Sequence, residues 1–202
     1  MQIVYILAAL VIAITLHESA HALMADWLGD PTARIMGRIS LNPLAHIDPL
    51  TTLAMPILLA LAHLPPLAAA KPVPFNPHAV RFGRWGAALV AFAGPATNFI
   101  LAVFFATWVR FFHMGVNGFL GIAVIVNVSL GIFNLIPFPP LDGSRILYAA
   151  APPLRPLMDA IERFGIFAIL ILVFFGFSLI GPVISNFISI ITSFLLGSNV
   201  VF

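Results

Sequence analysis

Residues 3–25 read IVYILAALVIAITLHESAHALMA, and this stretch decides the class of the fold. The run from Ile3 to Leu16 carries no charge. Extended by the residues that follow, it is long enough to cross the ~30 Å hydrocarbon core of a bilayer as a helix. His17, Glu18 and His21 nevertheless interrupt it. One acidic residue at the centre of a span costs about 2.5–3.5 kcal/mol of insertion free energy. These three ionisable residues therefore indicate a functional site.

The composition agrees with a membrane protein. Of 202 residues, 61% are hydrophobic and 8% are charged, whereas soluble domains have about 45–50% apolar and roughly 25% charged residues. A soluble globule and a disordered chain are therefore excluded. The net charge is +2 and the chain has no cysteine, which excludes disulfides and thiolate chemistry. The scattered basic residues predict no nucleic-acid-binding face, and we expect no nucleotide ligand.

Further apolar runs predict a polytopic helical protein. Residues 87–109, 119–136 and 164–202 are uncharged. In the last run, Gly181-Pro182 predicts a turn between two short spans, with one span plus an interfacial helix as the alternative. Residues 51–70 are broken by prolines and predict a re-entrant segment. We predict an all-α membrane protein with about five to six membrane segments, forming one domain over residues 1–202.

The basic residues indicate the orientation. If residues 51–70 re-enter, eight of the nine basic residues share one side and only Arg110 lies opposite. A full crossing would give a 3:6 split, and the positive-inside rule favours the 8:1 arrangement. We therefore expect an exoplasmic N-terminus and long cytoplasmic loops, in a prokaryotic cell membrane.

Two loop segments predict extended structure. Residues 33–41 roughly alternate, which places Ile35, Ile39 and Leu41 on one face of a short strand. Residues 71–77, around Val73, are rich in proline and must be extended. Either segment could hold a locally unwound substrate by strand addition; a purely structural hairpin is the alternative for residues 33–41.

The pattern His-Glu-x-x-His at residues 17–21 predicts a metal site. Residues four apart lie on one helix face, about 6 Å apart along the axis, so His17 and His21 can bind one Zn²⁺. Glu18 can then act as a general base towards a water at that metal. A pair of structural histidines is the alternative.

A third ligand is offered by Asp142, which follows the apolar run 119–136. The prolines at 137, 139 and 140 stop the helix and Gly143 permits a sharp turn, so the carboxylate can fold back. A plain turn or N-cap aspartate is the alternative. With the re-entrant topology, His17, His21, Asp142 and the Gly94–Asn98 segment all lie at the cytoplasmic side.

These motifs resemble those of the site-2 protease family, intramembrane zinc metalloproteases with an HExxH helix and a later N-x-x-P-x-x-x-L-D-G motif. The matching residues of the second motif are Asn134, Pro137, Leu141, Asp142 and Gly143, and those of the family's G-P-x-x-N element are Gly94, Pro95 and Asn98. The resemblance covers roughly residues 3–145.

The resemblance implies one Zn²⁺ per chain, held by His17, His21 and Asp142, with Glu18 as general base. It also implies that Asn98 helps to hold substrate or the tetrahedral intermediate. The expected activity is hydrolysis of peptide bonds in or near transmembrane segments of substrate proteins. The chain is similar to compact members without PDZ or CBS domains, with its C-terminal hydrophobic segments at 164–202.

Several alternatives stay open at this point. Asn98 could serve only as interhelical glue, and Asn127 and Asn134 share a helix face that favours packing, although Asn134 is also a candidate substrate contact. His46 and Asp48 could compete as ligands, but a polar pair in a loop is the favoured interpretation. Cobalt or iron would suit the same ligands. A metal transporter or sensor, or a non-cleaving scaffold, could use the same site.

Overall fold

The computed structural model describes residues 1–46, 54, 71, 73–172 and 176–197. Within these residues all regular structure is helical, which confirms the predicted fold class. Single 3₁₀ turns occur at Pro43–Ala45 and Pro152–Leu154. The helices are α1 (Gln2–Trp27), α2 (Thr32–Ile35), α3 (Arg84–Phe111), α4 (Phe119–Asn134), α5 (Asp142–Ala150), α6 (Arg155–Glu162), α7 (Ile166–Ile171) and α8 (Phe177–Leu196).

Within the described ranges, three segments are long and apolar enough to cross a membrane: Gln2–Trp27, Arg84–Phe111 and Leu179–Leu196. Helix α4 is apolar but has 16 residues, fewer than the ~20 that a typical span requires. The chain is therefore a multi-pass membrane protein. The count of five to six segments stays a prediction, and the proposed re-entrant segment at 51–70 lies, apart from Ala54, outside the described residues.

The centre of the molecule is a packed group of three helices, α1, α3 and α4, each of which contacts the other two. Small residues such as Ala102 and Ala106 let α3 approach α4, where Val124 and Val128 are fully buried. Helix α8 packs against α4 and α3 and adds Leu196 to this cluster. Close packing of small residues is the usual basis of helix association in lipid.

Residues 33–41 do not form the predicted strand, so that prediction was wrong. Helix α2 covers Thr32–Ile35, and Gly37 has a positive φ of 65° in the turn that follows. The backbone amide of Thr32 donates to the side chain of Asp30, which starts a helical turn here. Ile35, Ile39 and Leu41 therefore do not share one strand face.

The turn predicted at Gly181-Pro182 was also wrong, because α8 runs through Pro182 without a break. The preceding helix, α7, ends at Ile171 and α8 begins at Phe177. A proline in the second turn costs a helix one main-chain hydrogen bond, and membrane helices tolerate this.

Candidate metal centre

Three ligand atoms from two helices converge between the C-terminal half of α1 and the first residue of α5. The Nε2 atoms of His17 and His21 are 3.0 Å apart. Oδ2 of Asp142 lies 3.2 Å from Nε2 of His17 and 3.3 Å from Nε2 of His21. Both imidazoles are buried and the carboxylate is partly buried. The structure thus brings together the three residues predicted as ligands.

The spacing of these atoms fits zinc. Zinc–nitrogen bonds of 2.0–2.1 Å in a tetrahedral site place neighbouring ligand atoms about 3.3–3.4 Å apart, close to the separations of His17, His21 and Asp142. Among the described residues, Oδ2 of Asp142 finds no hydrogen-bond donor although it is buried. A cation between this buried carboxylate oxygen and the two imidazole nitrogens would satisfy all three atoms, so the donor set suits a metal ion.

The outer nitrogens of both histidines are held by acceptors on α3. Nδ1 of His17 lies 2.6 Å from Oδ1 of Asn98, and Nδ1 of His21 lies 2.7 Å from the carbonyl oxygen of Val90. Each Nδ1 therefore carries the proton and donates it, which leaves the lone pair on Nε2 for the metal. Such outer partners fix the tautomer and orientation of metal-binding histidines.

Gly94 leaves the space that the two imidazoles occupy. A Cβ built at this position would lie 2.4 Å from Nε2 of His21 and 2.6 Å from Nε2 of His17. Val90, Gly94 and Asn98 follow one another at intervals of four, so they share one face of α3. This face supplies an acceptor for each histidine, with a gap between the two.

Asp142 reaches the centre through a tight turn after α4. Leu141 is the N-cap of α5 and Asp142 is its first residue, a position that favours a carboxylate. A Cβ at Gly143 would lie 2.3 Å from the carbonyl oxygen of Leu135 and 2.5 Å from that of Ile136. Only glycine allows the chain to fold back this closely, as predicted from the sequence.

Comparisons with known proteins agree with this geometry. The chain is 37% identical over 180 residues to YwhC of Bacillus subtilis, a protein named as a candidate zinc metalloprotease, and the match covers 83% of this chain and 79% of the relative. The model of peptidase family M50 matches residues 109–176. The chain belongs to peptidase family M50. This family is the site-2 protease family, so the protein is a zinc metalloendopeptidase.

Two further relatives are more distant. The Rip2 proteins of Mycolicibacterium smegmatis and Mycobacterium tuberculosis, also named as candidate zinc metalloproteases, are 31% and 32% identical over 159 residues. These matches cover 74% and 76% of this chain but only 57% and 58% of the relatives. No solved structure matches the chain.

The glutamate of the M50 motif is held by a loop. Oε2 of Glu18 accepts a hydrogen bond from the backbone amide of Val73 at 3.2 Å. The same segment is fastened on either side, since the amide of Lys71 donates to the carbonyl of His46 at 2.9 Å and that of Asn76 donates to Asp30. The described residues of 71–77 thus lie beside Glu18 without forming a helix or strand.

Asp30 is the buried acceptor at one end of this segment. Burial alone would raise its pKa, but hydrogen bonds from the hydroxyl of Thr32, the amide of Asn76 and the amide of Thr32 outweigh it and hold the pKa below its ordinary value of 3.8. The ionised carboxylate therefore joins the chain after α1 to the segment that contacts Glu18. Nearby, the guanidinium of Arg145 lies 4.8 Å from the ring centre of Phe75.

His46 is not part of the metal centre. Its Nε2 donates to the carbonyl of Ser40 at 2.8 Å, and the hydroxyl of Ser19 donates to the same carbonyl at 2.7 Å. These bonds fasten the loop before His46 to the HExxH helix. His46 therefore acts as a structural residue of the loop, and its predicted partner Asp48 lies outside the described residues.

The remaining predicted substrate contacts are exposed, partly buried or hydrogen-bonded within their own helix. Ile35 and Leu41 are exposed and Ile39 is partly buried. Nδ2 of Asn134 donates to the carbonyl of Leu130 in the same helix at 3.0 Å. Three further histidines, His63, His78 and His113, have no ligand spacing in the sequence. His78 and His113 are exposed, and His63 is outside the described residues.

Sequence reasoning did not find the backbone groups at the site. The carbonyl of Val90 and the amide of Val73 act through the main chain, so their side chains give no signal. Asn98 was expected at the substrate, yet its amide oxygen is engaged by His17. The available signal was its position four residues after Gly94, on the same helix face.

Proposed function

We propose that this protein cleaves peptide bonds in or near the transmembrane segments of other membrane proteins. The observation that carries the proposal is the position of the centre: His17 and His21 lie inside a helix long and apolar enough to cross the membrane, and Asp142 closes the triangle. A protease of soluble substrates has no need to place its ligands within such a helix.

The residues around the centre support hydrolysis. Zinc held by His17, His21 and Asp142 would supply Lewis-acid activation of water and of the scissile carbonyl. Glu18 accepts the proton of the attacking water and returns it to the leaving amine. The amide of Val73 orients the Glu18 carboxylate for this transfer.

The substrate must offer an unwound stretch, because a transmembrane helix hides its peptide bonds. The segment that contains Val73 lies beside Glu18 and is irregular in its described residues. We propose this segment, rather than residues 33–41, as the part of the chain that contacts the unwound substrate.

The orientation is part of the proposal. We place the N-terminus outside the cell and the metal centre towards the cytoplasm, in a prokaryotic cell membrane. The chain has no cysteine, so single cysteines report topology without background. A cysteine at exposed His78 should react only with reagent supplied from the cytoplasm, and one at exposed Asn117 only from outside. The reverse pattern would refute this orientation.

The deciding experiment combines cleavage with metal content. Purified protein in detergent is given several single-span substrates, and Glu18→Gln is compared with Glu162→Gln, a change at a more exposed glutamate on α6. We expect the wild type and Glu162→Gln to cleave, and Glu18→Gln to retain zinc without cleaving. If all three hold zinc and none cleaves any substrate, a metal sensor, transporter or non-cleaving scaffold replaces the protease.

A further inference from the structure

A chain of buried amides links helix α4 to the metal centre. Asn98 and Asn127 are both fully buried. Nδ2 of Asn127 lies 2.9 Å from the carbonyl oxygen of Ala123, Oδ1 of Asn127 lies 3.0 Å from Nδ2 of Asn98, and Oδ1 of Asn98 lies 2.6 Å from Nδ1 of His17. The links connect three helices, since these residues stand on α4, α3 and α1.

The direction of this chain is set at its far end. The carbonyl of Ala123 can only accept, so Asn127 must turn its NH₂ towards it and its oxygen towards Asn98. Asn98 must then donate to Asn127 and present its own oxygen to His17. That oxygen accepts from Nδ1, so the lone pair of His17 is on Nε2, where the metal binds.

The two histidines differ in how firmly their tautomers are set. The partner of His21 is the main-chain carbonyl of Val90, which cannot become a donor. The partner of His17 is a side-chain amide, which could rotate and present NH₂ instead. If the Asn98 amide were rotated, its NH₂ would donate to Nδ1 of His17. This would favour the tautomer that carries its proton on Nε2, and that nitrogen could then not bind a metal. Nδ2 of Asn98 also lies 3.5 Å from the carbonyl oxygen of Ala13, but its closer acceptor is Oδ1 of Asn127 at 3.0 Å. The orientation of Asn98, and with it the tautomer of His17, therefore depends on Asn127, whereas His21 has no such dependence.

We propose that Asn127 is a positioning residue for metal binding, which fixes the orientation of Asn98 and through it the tautomer of His17. Packing alone does not explain the arrangement, because every polar atom of Asn127 is used in a defined direction and the side chain is fully buried. The inference rests on the metal centre of the proposed function, but not on any particular substrate.

The test is zinc affinity measured by chelator competition on the full chain. Asn127→Leu removes the acceptor with little change in volume, and we expect roughly tenfold weaker zinc binding. Asn127→Asp keeps an acceptor for Asn98 in either protonation state, so its affinity should stay within about threefold of wild type. Thr97→Val is the matched control, since among the described residues its hydroxyl bonds only to the carbonyl of Ala93 in its own helix; its affinity should be unchanged.

A second readout does not depend on metal or activity. Nitrogen-15 spectra of the metal-free protein distinguish the two tautomers of histidine, and His17 should be the Nδ1–H form in wild type and Asn127→Asp but a mixture in Asn127→Leu. If Asn127→Leu does not fold, Asn127→Ala serves in both measurements. Wild-type zinc affinity in a folded variant without the acceptor overturns the inference. Failure of the wild type itself to bind zinc would instead overturn the metal centre.

Discussion

The most apolar stretches of helices α1 and α8 have the same mean hydropathy, yet the protein uses them differently. In α1, 44% of the apolar stretch is buried inside the protein, compared with 17% for Leu179–Leu196 in α8. The buried part of α1 includes His17, Glu18 and His21, whereas Val183, Phe187 and Ile190 of α8 face outward. Hydropathy thus indicates that a helix is compatible with lipid, but not whether it carries a functional site. The functional residues lie where polar side chains are buried against other parts of the protein rather than exposed to lipid.

The largest effect is expected from filling the space that Gly94 of α3 leaves for the two histidines of α1. Gly94→Ala would place a methyl group against both Nε2 atoms, so at least one imidazole must move. A displacement of about 1 Å can cost 100-fold in rate, and we expect at least that loss of cleavage together with loss of bound zinc. Both are measured on purified protein.

Gly115→Ala is the control for this substitution, because no described atom lies within 4 Å of the added Cβ. It should leave zinc content and cleavage at wild-type levels. If Gly94→Ala bound zinc and cleaved normally, the packing of α3 against the two histidines would not be what shapes the centre.

Much of this arrangement could be predicted from the sequence, and the reason is chemical. Ionisable residues inside an apolar run are costly, so His17 and His21 stood out, and Gly143 beside three prolines predicted the turn that returns Asp142. The gap at Gly94 was matched only as part of a motif. Its physical role depends on the distance between two helices, which no local pattern encodes.

The errors in the sequence prediction have a common cause. Residues 33–41 alternate in polarity, but Asp30 and Pro31 begin a helical turn at Thr32. The local hydrogen bond to Asp30 therefore had more influence on the backbone than the weak alternating pattern. Pro182 suggested a break because proline ends helices in water; in α8 it lies in the second turn, where one lost bond is tolerated. In both cases the outcome depended on the surroundings of the residue.

A smaller effect is expected where the chain leaves α1. Asp30→Asn removes a charged acceptor of three hydrogen bonds, which should lower the free energy of unfolding by about 1.5–3 kcal/mol at pH 7. Because folding lowers the pKa of Asp30, this contribution is complete above its ordinary value of 3.8 and is lost as the pH falls through the folded value. Thermal unfolding of the two proteins in detergent should therefore differ at pH 7 and converge at low pH.

Asp159→Asn on α6 is the matched control, because that carboxylate is half exposed and pairs with Arg155 at 3.7 Å. An exposed pair of this kind contributes at most about 1 kcal/mol. A difference between wild type and Asp30→Asn that stayed constant down to low pH would refute the role of the charge.

Removing the hydrogen bond between Val73 and Glu18 tests the role of Glu18 separately from that of the metal ligands. Val73→Pro removes the amide hydrogen that Glu18 accepts, while residues 72 and 74 already are prolines. We expect about tenfold lower kcat with unchanged zinc content, a fraction of the roughly 10²–10⁴-fold that a general base supplies. Val73→Ala keeps the amide and should be clearly more active than the proline variant. Equal activity of the two would show that the amide does not orient Glu18.

The smallest effect is expected from the same substitution, isoleucine to valine, made once in α1 and once in α8. Ile14 in α1 is buried, with 5% exposure, and Ile190 in α8 is 57% exposed. Ile14→Val leaves a gap between protein atoms and should cost about 0.5–1.5 kcal/mol of stability. Ile190→Val faces lipid, which fills the space, so its cost should be within about 0.5 kcal/mol. Unfolding of both variants in the same detergent measures the difference, and equal costs would mean that α8 packs against a partner as α1 does.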